Sequence, residues 1–351
     1  MNRKILFIHN YKSPYRIKLF NEINKLIKIE VCYLQDQLSE NRVWNLPEEE
    51  YKSYDVNFKT IGKLVLNNFI NLKKLIKDYE TVVIIDNIPN FLSNMFITLF
   101  AKQKKLIYWV EEYNYKNNYI HKIKGYLKIM VNYYLIKRSS KIMFFSKKSF
   151  NNYRGNKKKF LIPQAATYEF EISKKENTKK RKSLKLGYLG EFKDIKNIKI
   201  LIEAVLELKN LNIHLLLAGN KERDNFFVSK YYDNDNIQFM GYLNDNDKDA
   251  FFKKIDFLVL PSFYDAWGMV INEAMTKGIP CIVSDGVNSK EIINKKFIFK
   301  NNSKESLINV LFLAYNITHE EYETLSLESI EKIKEYTIEK SAKKIYEVLI
   351  D

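Results

Sequence analysis

Short apolar runs alternate with amphipathic stretches along most of the chain, and this alternation defines the predicted elements. Several runs, such as Val82–Ile85, are apolar at every position, which is typical of strands that are buried on both faces. The predicted strands are Lys4–His9, Glu30–Leu34, Thr81–Asp86, Lys105–Glu111, Lys141–Ser146, Lys159–Gln164, Leu184–Gly190, Ile213–Gly219, Ile237–Met240, Phe257–Pro261 and Pro280–Ser284.

Between these strands, apolar residues recur at spacings of three and four, which predicts amphipathic helices. Such stretches include Arg16–Lys28, Leu64–Asp78, Ile198–Lys209 and Val270–Lys277. Strands that alternate with helices form parallel sheets through right-handed crossovers. We therefore predict an α/β fold with two Rossmann-like, doubly wound parallel-sheet domains.

One stretch interrupts the alternation. Thr167–Ser183 is polar and charged and has no apolar period, which is typical of a linker. We predict an N-terminal domain over residues 1–166, a linker over 167–183, a C-terminal domain over 184–336 and a final helix over 337–351 that can pack back on the first domain. Ligands of such sheets bind at the carboxyl ends of the strands, so we expect the site in a central cleft that the two domains face.

The composition excludes a collagen-like protein, a disordered chain and a disulfide-rich secreted scaffold. Apolar residues make up 46% and charged residues 28% of the 351 positions, as in soluble globular proteins. Cys32 and Cys281 lie far apart, so we expect no disulfide, and this cysteine usage fits a reducing cytoplasm. The four histidines and two cysteines form no ligand cluster, so we expect no metal. The longest uncharged stretches, Asn87–Ala101 and Ser306–His319, are shorter than the roughly 20 apolar residues of a transmembrane helix.

The net charge of +16 is concentrated in the first half of the chain. Residues 1–182 hold 36 Lys and Arg against 16 Asp and Glu, whereas the remainder holds 22 against 26. Tyr113–Tyr168 contains thirteen basic residues and no acidic one. A charge run is usually a solvated face, but an excess this one-sided indicates an anionic partner: a membrane surface, a nucleic acid or a phosphate-bearing substrate.

Apolar residues are interleaved with this basic run. Leu127, Ile129, Met130 and Tyr134 form either a stripe that faces a membrane or a face that packs on the core. Surface lysines alone suffice for electrostatic attachment to an anionic membrane. The lysines nearest to the stripe are Lys122, Lys124, Lys128 and Lys137.

Candidate chemistry lies in the loop and helix that follow the strand ending at Pro261. The N–H groups of Gly268, Met269 and Val270 would face an anion at the positive end of the helix dipole. Asp265 on the loop and Glu273 on the helix could converge on a ligand held there. An ordinary strand–helix turn with incidental acids is the alternative.

A second loop has related features. A strand runs into Gly190, and Lys196 stands beside the start of a helix, where its charge suits a diphosphate. Taken alone, Lys196 is better interpreted as a surface lysine, and the first loop is what favours its phosphate role. Gly219 and the pair Gly241-Tyr242 follow the next two strands, and Gly219 has the alternative role of turning the chain.

These residues resemble the signature of the retaining nucleotide-sugar glycosyltransferases of family 4, which have the GT-B fold. The family pattern is Pro-Ser, two residues, Glu-Gly-Phe-Gly, then a helix with Glu-Ala-Met, a Gly-x-Pro turn and a strand that ends in Ser. The matching residues are Pro261-Ser262, Asp265-Ala266-Trp267-Gly268, Glu273-Ala274-Met275, Gly278-Ile279-Pro280 and Ser284, with Lys196 and Ile202-Glu203-Ala204 in the second segment. Asp265 stands where the family has Glu, and Glu191 stands where it has Arg.

The resemblance implies a role for each matched residue. Glu273 would accept hydrogen bonds from the ribose hydroxyls, and Asp265 would contact hydroxyls of the donor sugar. The N–H groups that begin at Gly268 would hold the sugar or the diphosphate, and Lys196 would bind the diphosphate. The loops with Gly190, Gly219, Gly241 and Tyr242 would complete the donor site, the last near the base.

The N-terminal domain carries the acceptor side in this resemblance. Its assigned residues are His9, Tyr15 and Arg16, and His9 has the alternative role of a structural histidine at a strand end. Glu111 and Glu112 lie where many relatives have a His that touches the donor sugar, so they are candidate catalytic residues; a solvated acidic pair is the alternative.

The resemblance implies a hexosyltransferase that moves a sugar from a nucleoside diphosphate-sugar, with UDP favoured, to a glycan or lipid-linked acceptor hydroxyl. It also implies surface-polysaccharide, lipopolysaccharide or capsule biosynthesis, without metal or other cofactor, by a cytoplasmic enzyme attached peripherally to the inner face of the cell membrane. Two alternatives remain: a nucleic-acid-binding protein that uses the basic first domain, and a catalytically inactive GT-B partner protein.

Overall fold

The computed structural model describes residues 4–35, 46–56, 58–61, 64–67, 69–85, 91–101, 104–110, 122–165, 183–219, 230–231 and 234–351. The chain divides into two units: unit 1 contains residues 1–165 and 338–351, and unit 2 contains residues 166–337. The linker predicted over 167–183 lies outside the described residues except for Ser183, and so do the predicted catalytic residues Glu111 and Glu112.

Unit 1 is built on a parallel sheet of seven strands in the order β3-β2-β1-β6-β7-β8-β9, and β4 and β5 form a separate antiparallel pair. The strands are β1 (Ile5–His9), β2 (Glu30–Tyr33), β3 (Lys52–Asp55), β4 (Phe58–Ile61), β5 (Leu64–Asn67), β6 (Thr81–Ile85), β7 (Lys105–Val110), β8 (Lys141–Phe144) and β9 (Lys158–Leu161). The helices are α1 (Pro14–Leu26), α2 (Phe69–Lys77), α3 (Phe91–Phe100), α4 (Lys122–Arg138) and α5 (Lys147–Asn152).

Unit 2 is built on a six-stranded parallel sheet in the order β12-β11-β10-β13-β14-β15. Its strands are β10 (Leu184–Leu189), β11 (Ile213–Ala218), β12 (Ile237–Gly241), β13 (Phe257–Leu260), β14 (Cys281–Ser284) and β15 (Ile298–Phe299). Its helices are α6 (Ile198–Glu207), α7 (Asp245–Lys254), α8 (Met269–Thr276), α9 (Lys304–Asn316) and α10 (His319–Ile333); α11 (Ile338–Ile350) belongs to unit 1.

The predicted α/β class is confirmed, and all eleven predicted strands are present. Most of them are identifiable because they carry a run of side chains that are buried in the core clusters, whereas β9 and most of β12 are only partly buried. The helix predicted over Leu64–Asp78 is wrong in its first part. Leu64–Asn67 is a strand that pairs antiparallel with Phe58–Ile61, and the helix begins at Phe69. The helical spacing of apolar residues continues across this boundary, so it gives no indication of where strand β5 ends and helix α2 begins.

Helix α11 returns to unit 1 and packs against α1. Ile338, Ala342, Ile345, Val348 and Leu349 join the core cluster that α1 forms with one face of the sheet. The buried Lys141 ammonium fixes its end, because it donates to the Val348 carbonyl at 2.9 Å and lies 2.8 Å from the Asp351 carboxylate. Lys141 and Lys158 lower the pKa of Asp351 to about 2.

None of the described helices is both long enough and apolar enough to cross a membrane.

Candidate functional site

The strand ends of unit 2 bring together two loops that the sequence analysis treated separately. The loop after β13 donates the Phe263 N–H to the Ile195 carbonyl at 2.9 Å, which ties it to the 3-10 turn Asp194–Lys196. Asn301 strengthens this junction: its side-chain amide donates to the Phe263 carbonyl at 2.9 Å, and its own carbonyl accepts from the Asn197 side chain at 3.0 Å. Lys196 and Asp265 are therefore held side by side.

Lys196 and Asp265 form a short ion pair. The Lys196 ammonium lies 2.5 Å from Oδ2 of Asp265, and the two side chains are only 24% and 13% exposed. The other carboxylate oxygen, Oδ1, accepts from the Trp267 N–H at 3.2 Å. Both oxygens of Asp265 are thus engaged, one by the lysine that was predicted to bind diphosphate and one by the backbone that leads into α8.

The loop between Asp265 and α8 is fixed from two sides. The Asp265 N–H donates to the Gly286 carbonyl at 3.2 Å, and the Asn288 N–H donates to the Asp265 carbonyl at 3.0 Å, so the loops after β13 and β14 run in parallel. Trp267 is buried, and its indole N–H donates to Asn272 at 2.7 Å. These contacts fix the backbone that enters α8.

Gly268 precedes the first residue of α8 and has a φ of 85°, in the left-handed region that favours glycine. A Cβ at this position would lie 2.5 Å from Cδ2 of Leu260. Helix α8 begins at Met269, so the N–H groups of Met269 and Val270 lie in its first turn, where the helix itself provides no acceptor. This terminus suits an anionic ligand, and Lys196 and Asp265 belong to the loops beside it.

Glu273 lies in the second turn of α8 and is mostly buried, with 14% of its side chain exposed. Its Oε2 is 3.8 Å from the ammonium of Lys248 on α7. Lys248 is a site residue that the sequence analysis missed, because α7 is a polar helix with no motif and the two residues are far apart in the chain. The lysine offsets the cost of keeping the Glu273 carboxylate charged in a largely buried place.

Three glycines mark the ends of adjacent strands. The Gly190 N–H donates to the Ala218 carbonyl at 3.0 Å, and the Gly219 N–H donates to the Gly241 carbonyl at 2.8 Å. A Cβ on Gly219 would lie 2.1 Å from the Gly190 carbonyl oxygen, so no side chain fits there. Gly241 has a φ of 71° and open space around it, and the neighbouring Tyr242 is half exposed. These predicted donor residues therefore lie along one sheet edge.

Glu191, which stands where the family has an arginine, forms an ion pair with Lys193. Its carbonyl accepts from the buried Tyr188 hydroxyl at 2.8 Å. Burial and the negative charges of Asp265 and Glu191 raise the pKa of Tyr188, so this phenol stays neutral.

The predicted acceptor-side residues lie together in unit 1. His9 ends β1 and is 7% exposed, and burial together with the nearby Arg16 holds its pKa well below the usual value, so its imidazole is neutral. Arg16 is buried in α1, with its guanidinium carbon 4.8 Å from the Trp109 ring centroid and 4.9 Å from that of Phe145. Tyr15 is half-buried, 5.7 Å from the same guanidinium.

Buried polar atoms surround this group. Within the part of the chain that the structure describes, His9 Nδ1, Asn10 Oδ1, Ser13 Oγ and Trp109 Nε1 have no hydrogen-bond partner. Buried polar groups are normally paired, so this set suits a ligand or water that both donates and accepts. Asn10, Ser13 and Trp109 were not selected from the sequence, where only their position after a strand or within one distinguished them.

No group of three or more metal-ligating side chains occurs among the residues that the structure describes.

One protein family matches the region that carries the predicted donor-side residues. The family described as "Glycosyl transferases group 1" matches residues 169–327. The uncharacterized glycosyltransferase MJ1607 of Methanocaldococcus jannaschii is 30% identical over 110 residues, which are 30% of this chain and 28% of that protein. The O-antigen chain mannosyltransferase B of Escherichia coli is 26% identical over 113 residues, 30% of each chain. The chain thus spans under a third of the length of these two relatives.

Solved structures match the chain over nearly its whole length. The sucrose-phosphate synthase of Thermosynechococcus elongatus aligns with a TM-score of 0.76 and 14% identity, covering 99% of this chain and 98% of that one. Anabaena Alr3699/HepE in complex with UDP aligns with a TM-score of 0.75 and 13% identity over 99% of both chains. The lipopolysaccharide outer core galactosyltransferase WaaB aligns with a TM-score of 0.69 and 15% identity over 99% of both. Residues 169–327 of this chain therefore resemble a glycosyltransferase group 1 domain, and the chain has the GT-B fold of these solved structures.

Proposed function

We propose that the chain is a retaining glycosyltransferase that moves a hexose-type sugar from a nucleoside diphosphate-sugar, with UDP favoured, to a hydroxyl of a glycan or lipid-linked acceptor. The observation that carries this proposal is the ion pair of Lys196 and Asp265 on the loops beside the N-terminus of α8, in a domain of the glycosyltransferase group 1. A cation and unpaired N–H groups at a helix terminus suit a diphosphate.

The donor would be held along the strand ends of unit 2. The Lys196 ammonium and the N–H groups of Met269 and Val270 would bind the diphosphate, and Glu273 would accept from the ribose hydroxyls. Asp265 would orient the donor sugar. The UDP complex of Alr3699/HepE supports uracil as the base, which would lie near Gly241 and Tyr242.

The acceptor would bind unit 1. The neutral His9, together with the buried polar atoms of Ser13 and Trp109, offers both donors and acceptors to a sugar hydroxyl. In the mechanism proposed here, the leaving diphosphate helps to deprotonate the acceptor hydroxyl, and the sugar keeps its anomeric configuration. Positioning and charge stabilisation would supply most of the rate enhancement, without a metal ion.

The product would belong to a surface polysaccharide, lipopolysaccharide or capsule. The names of the Escherichia coli mannosyltransferase and of the galactosyltransferase WaaB support this assignment. A lipid-linked acceptor lies at a membrane, and the basic run Tyr113–Tyr168 fits peripheral attachment to an anionic cytoplasmic face. Nucleic acid is the less favoured partner, because the run lacks a nucleic-acid-binding module.

A thermal-shift panel of the full chain with uridine, UDP and UDP-sugars tests the donor site. Binding at about 100 times Kd stabilises a protein by about 2.7 kcal/mol, so UDP should raise the melting temperature clearly and uridine much less. Transfer to a glycan acceptor should give a product with the donor's anomeric configuration by NMR, in the presence of a chelator. Inversion, or activity that is lost in chelator and restored by a divalent ion, would contradict the mechanism. UDP-sugar binding without transfer or hydrolysis would favour the inactive partner protein.

A further inference from the structure

One face of the sheet in unit 1 is covered by helices without any acidic residue. Helices α2, α3, α4 and α5 all contribute to the core cluster on this face, and α3 packs between α2 and α4. Their sequences contain three basic residues in α2, five in α4 and two in α5, and no Asp or Glu in any of the four.

The opposite face of the same sheet has mixed charge. Helices α1 and α11, which form the other core cluster of unit 1, hold six basic and three acidic residues. The acid-free helices therefore give one face of unit 1 a stronger positive potential than the other.

An exposed apolar patch lies on this basic face. Ile129, Met130 and Tyr133 of α4 are 46%, 67% and 69% exposed, and we call them the α4 patch. Met130 and Tyr133 follow Ile129 by one and four residues, so all three side chains lie on one side of the helix. Lys137, one turn beyond Tyr133, is exposed on the same side. The other side of α4 is apolar as well, but its residues Val131 and Leu135 are buried in the core.

These facts separate two interpretations of the apolar residues in the basic run. The core-facing interpretation of the stripe is wrong for Ile129 and Met130, which are exposed; Val131 and Leu135 form the core-facing side of α4 instead. Tyr133, rather than the half-buried Tyr134, completes the exposed side. An exposed apolar patch on a helix with several basic residues suits a position in a membrane interface.

The chemistry of the patch favours a membrane over a nucleic acid. Single strands are bound by aromatic rings on which bases stack, whereas two of the three patch residues are aliphatic. Ile and Met gain free energy by leaving water for acyl chains, and Tyr is enriched at the level of the headgroups. The acid-free helices complement an anionic surface.

We propose that α4 lies in the interface of an anionic membrane, with Ile129, Met130 and Tyr133 inserted and Lys137 and the basic residues of α2 and α5 over the headgroups. This inference specifies how the proposed peripheral attachment occurs. It rests on the proposed function only for the reason that attachment is useful, which is access to a lipid-linked acceptor. It divides binding into an electrostatic part, which salt removes, and an apolar part, which salt leaves in place.

Vesicle sedimentation of the full chain tests the apolar part. The probes are vesicles of phosphatidylcholine alone and of phosphatidylcholine with phosphatidylglycerol, each at low and high salt. We expect binding to the anionic vesicles, with a fraction that resists high salt. The triple variant Ile129→Ser, Met130→Ser, Tyr133→Ser should lose this fraction and bind at least about tenfold more weakly. Its three substituted side chains no longer provide the apolar surface that leaves water on insertion.

Unit 2 provides the matched control. Phe312 and Leu327 are 53% and 54% exposed, so Phe312→Ser with Leu327→Ser removes similar apolar surface from the other unit. This control should bind vesicles like the wild type. Equal binding of the triple variant and the wild type, or equal losses in the triple variant and the control, would overturn the proposal. Complete release of the wild type by salt would also overturn it.

A second measurement reports insertion directly. Tryptophan emission of a Tyr133→Trp variant should be quenched by brominated acyl chains in anionic vesicles, whereas that of Phe312→Trp should not. Equal quenching of the two variants would contradict insertion through α4. The UDP thermal shift of each variant shows that it is folded and tests the donor site separately: a protein that binds vesicles as expected but gives no UDP shift would refute the proposed function and leave this inference intact.

Discussion

Units 1 and 2 share a parallel-sheet plan but differ in what their surfaces and strand ends carry. Unit 1 holds 33 Lys and Arg against 16 Asp and Glu, a net charge of +17, whereas unit 2 holds 25 against 26, a net charge of −1. The whole positive excess of the chain therefore belongs to unit 1, although the two units have similar folds.

The two units also differ in the charged groups that lie beyond the ends of their strands. In unit 2 the loops and helices that follow the strands carry two ion pairs, Lys196 with Asp265 and Lys248 with Glu273, together with Gly219, where no side chain fits. In unit 1 the end of β1 carries a neutral imidazole and the buried Arg16. The comparison teaches that charge is paired locally in unit 2, whereas in unit 1 the positive charge extends over a whole face. Variants in one unit should therefore leave the other unit's binding unchanged.

The largest effect is expected at Glu273. Glu273→Ala should lower kcat/KM by about 100-fold or more, because the donor would lose its orientation. Glu273→Gln should be milder, since the amide keeps one acceptor oxygen. Initial-rate kinetics would measure the loss, and circular dichroism would check the fold. Vesicle binding should not change in either variant. Wild-type turnover by folded Glu273→Ala would contradict the assignment.

A smaller effect is expected at Lys196. Lys196→Ala should weaken UDP binding by roughly 1.5–3 kcal/mol, the contribution of a charge-assisted contact, and should affect uridine much less. Isothermal titration with both ligands measures the difference. Lys199→Ala removes an exposed lysine on α6 that pairs with Glu203 at 3.8 Å, and it serves as the control. Equal losses for UDP and uridine would remove the diphosphate role from Lys196.

The close packing of the strand ends in unit 2 can be tested by stability alone. Gly219→Ala should lower the free energy of unfolding by about 1–3 kcal/mol, because its Cβ would meet the Gly190 carbonyl oxygen at 2.1 Å. Gly190→Ala is the matched change, since its Cβ would lie 3.0 Å from the Tyr188 hydroxyl, a looser contact than the 2.1 Å at Gly219. Urea titration should rank Gly219→Ala below Gly190→Ala. The reverse order would show that the carbonyl contact is not what constrains this edge.

The weakest effect should come from His9 in unit 1. Its pKa is lowered in the folded protein, so the unfolded chain binds a proton more readily below about pH 6.5. The free energy of unfolding is therefore unaffected by His9 above that pH. Below it, the free energy of unfolding falls as the pH decreases, by at most about 1.4 kcal/mol per pH unit from this residue. Urea titrations at pH 7 and pH 5 should show a smaller difference for His9→Gln than for the wild type. An unchanged difference would mean that His9 is charged when folded.

Most of the fold could be predicted from the sequence, because the strands are buried on both faces and read as continuous apolar runs. The exceptions are elements that tertiary pairing defines. Lys52–Asp55 is an edge strand of polar sequence, and Leu64–Asn67 forms a hairpin with its predecessor across an unbroken apolar spacing. Neither segment shows the strand-like alternation of apolar and polar residues that would have predicted a strand.

The site was less predictable than the fold. The sequence pattern identified Lys196, Asp265 and Glu273 separately, but the pairing of Lys196 with Asp265 depends on a backbone contact between Phe263 and Ile195, which are 68 residues apart. Lys248 has no motif around it and is found only from its distance to Glu273. Side chains that meet across a sheet edge depend on which strands become neighbours, which residue spacing does not encode.

Helix α11 has a consequence for the order of folding during synthesis. The first 165 residues leave the ribosome long before α11, whose apolar side chains complete the core beside α1. Unit 2 comes from one uninterrupted stretch and can close as soon as it has emerged. Unit 1 is thus the first to be made and the last to be finished, and in the interval the face beside α1 is an exposed apolar surface of the kind that chaperones recognise.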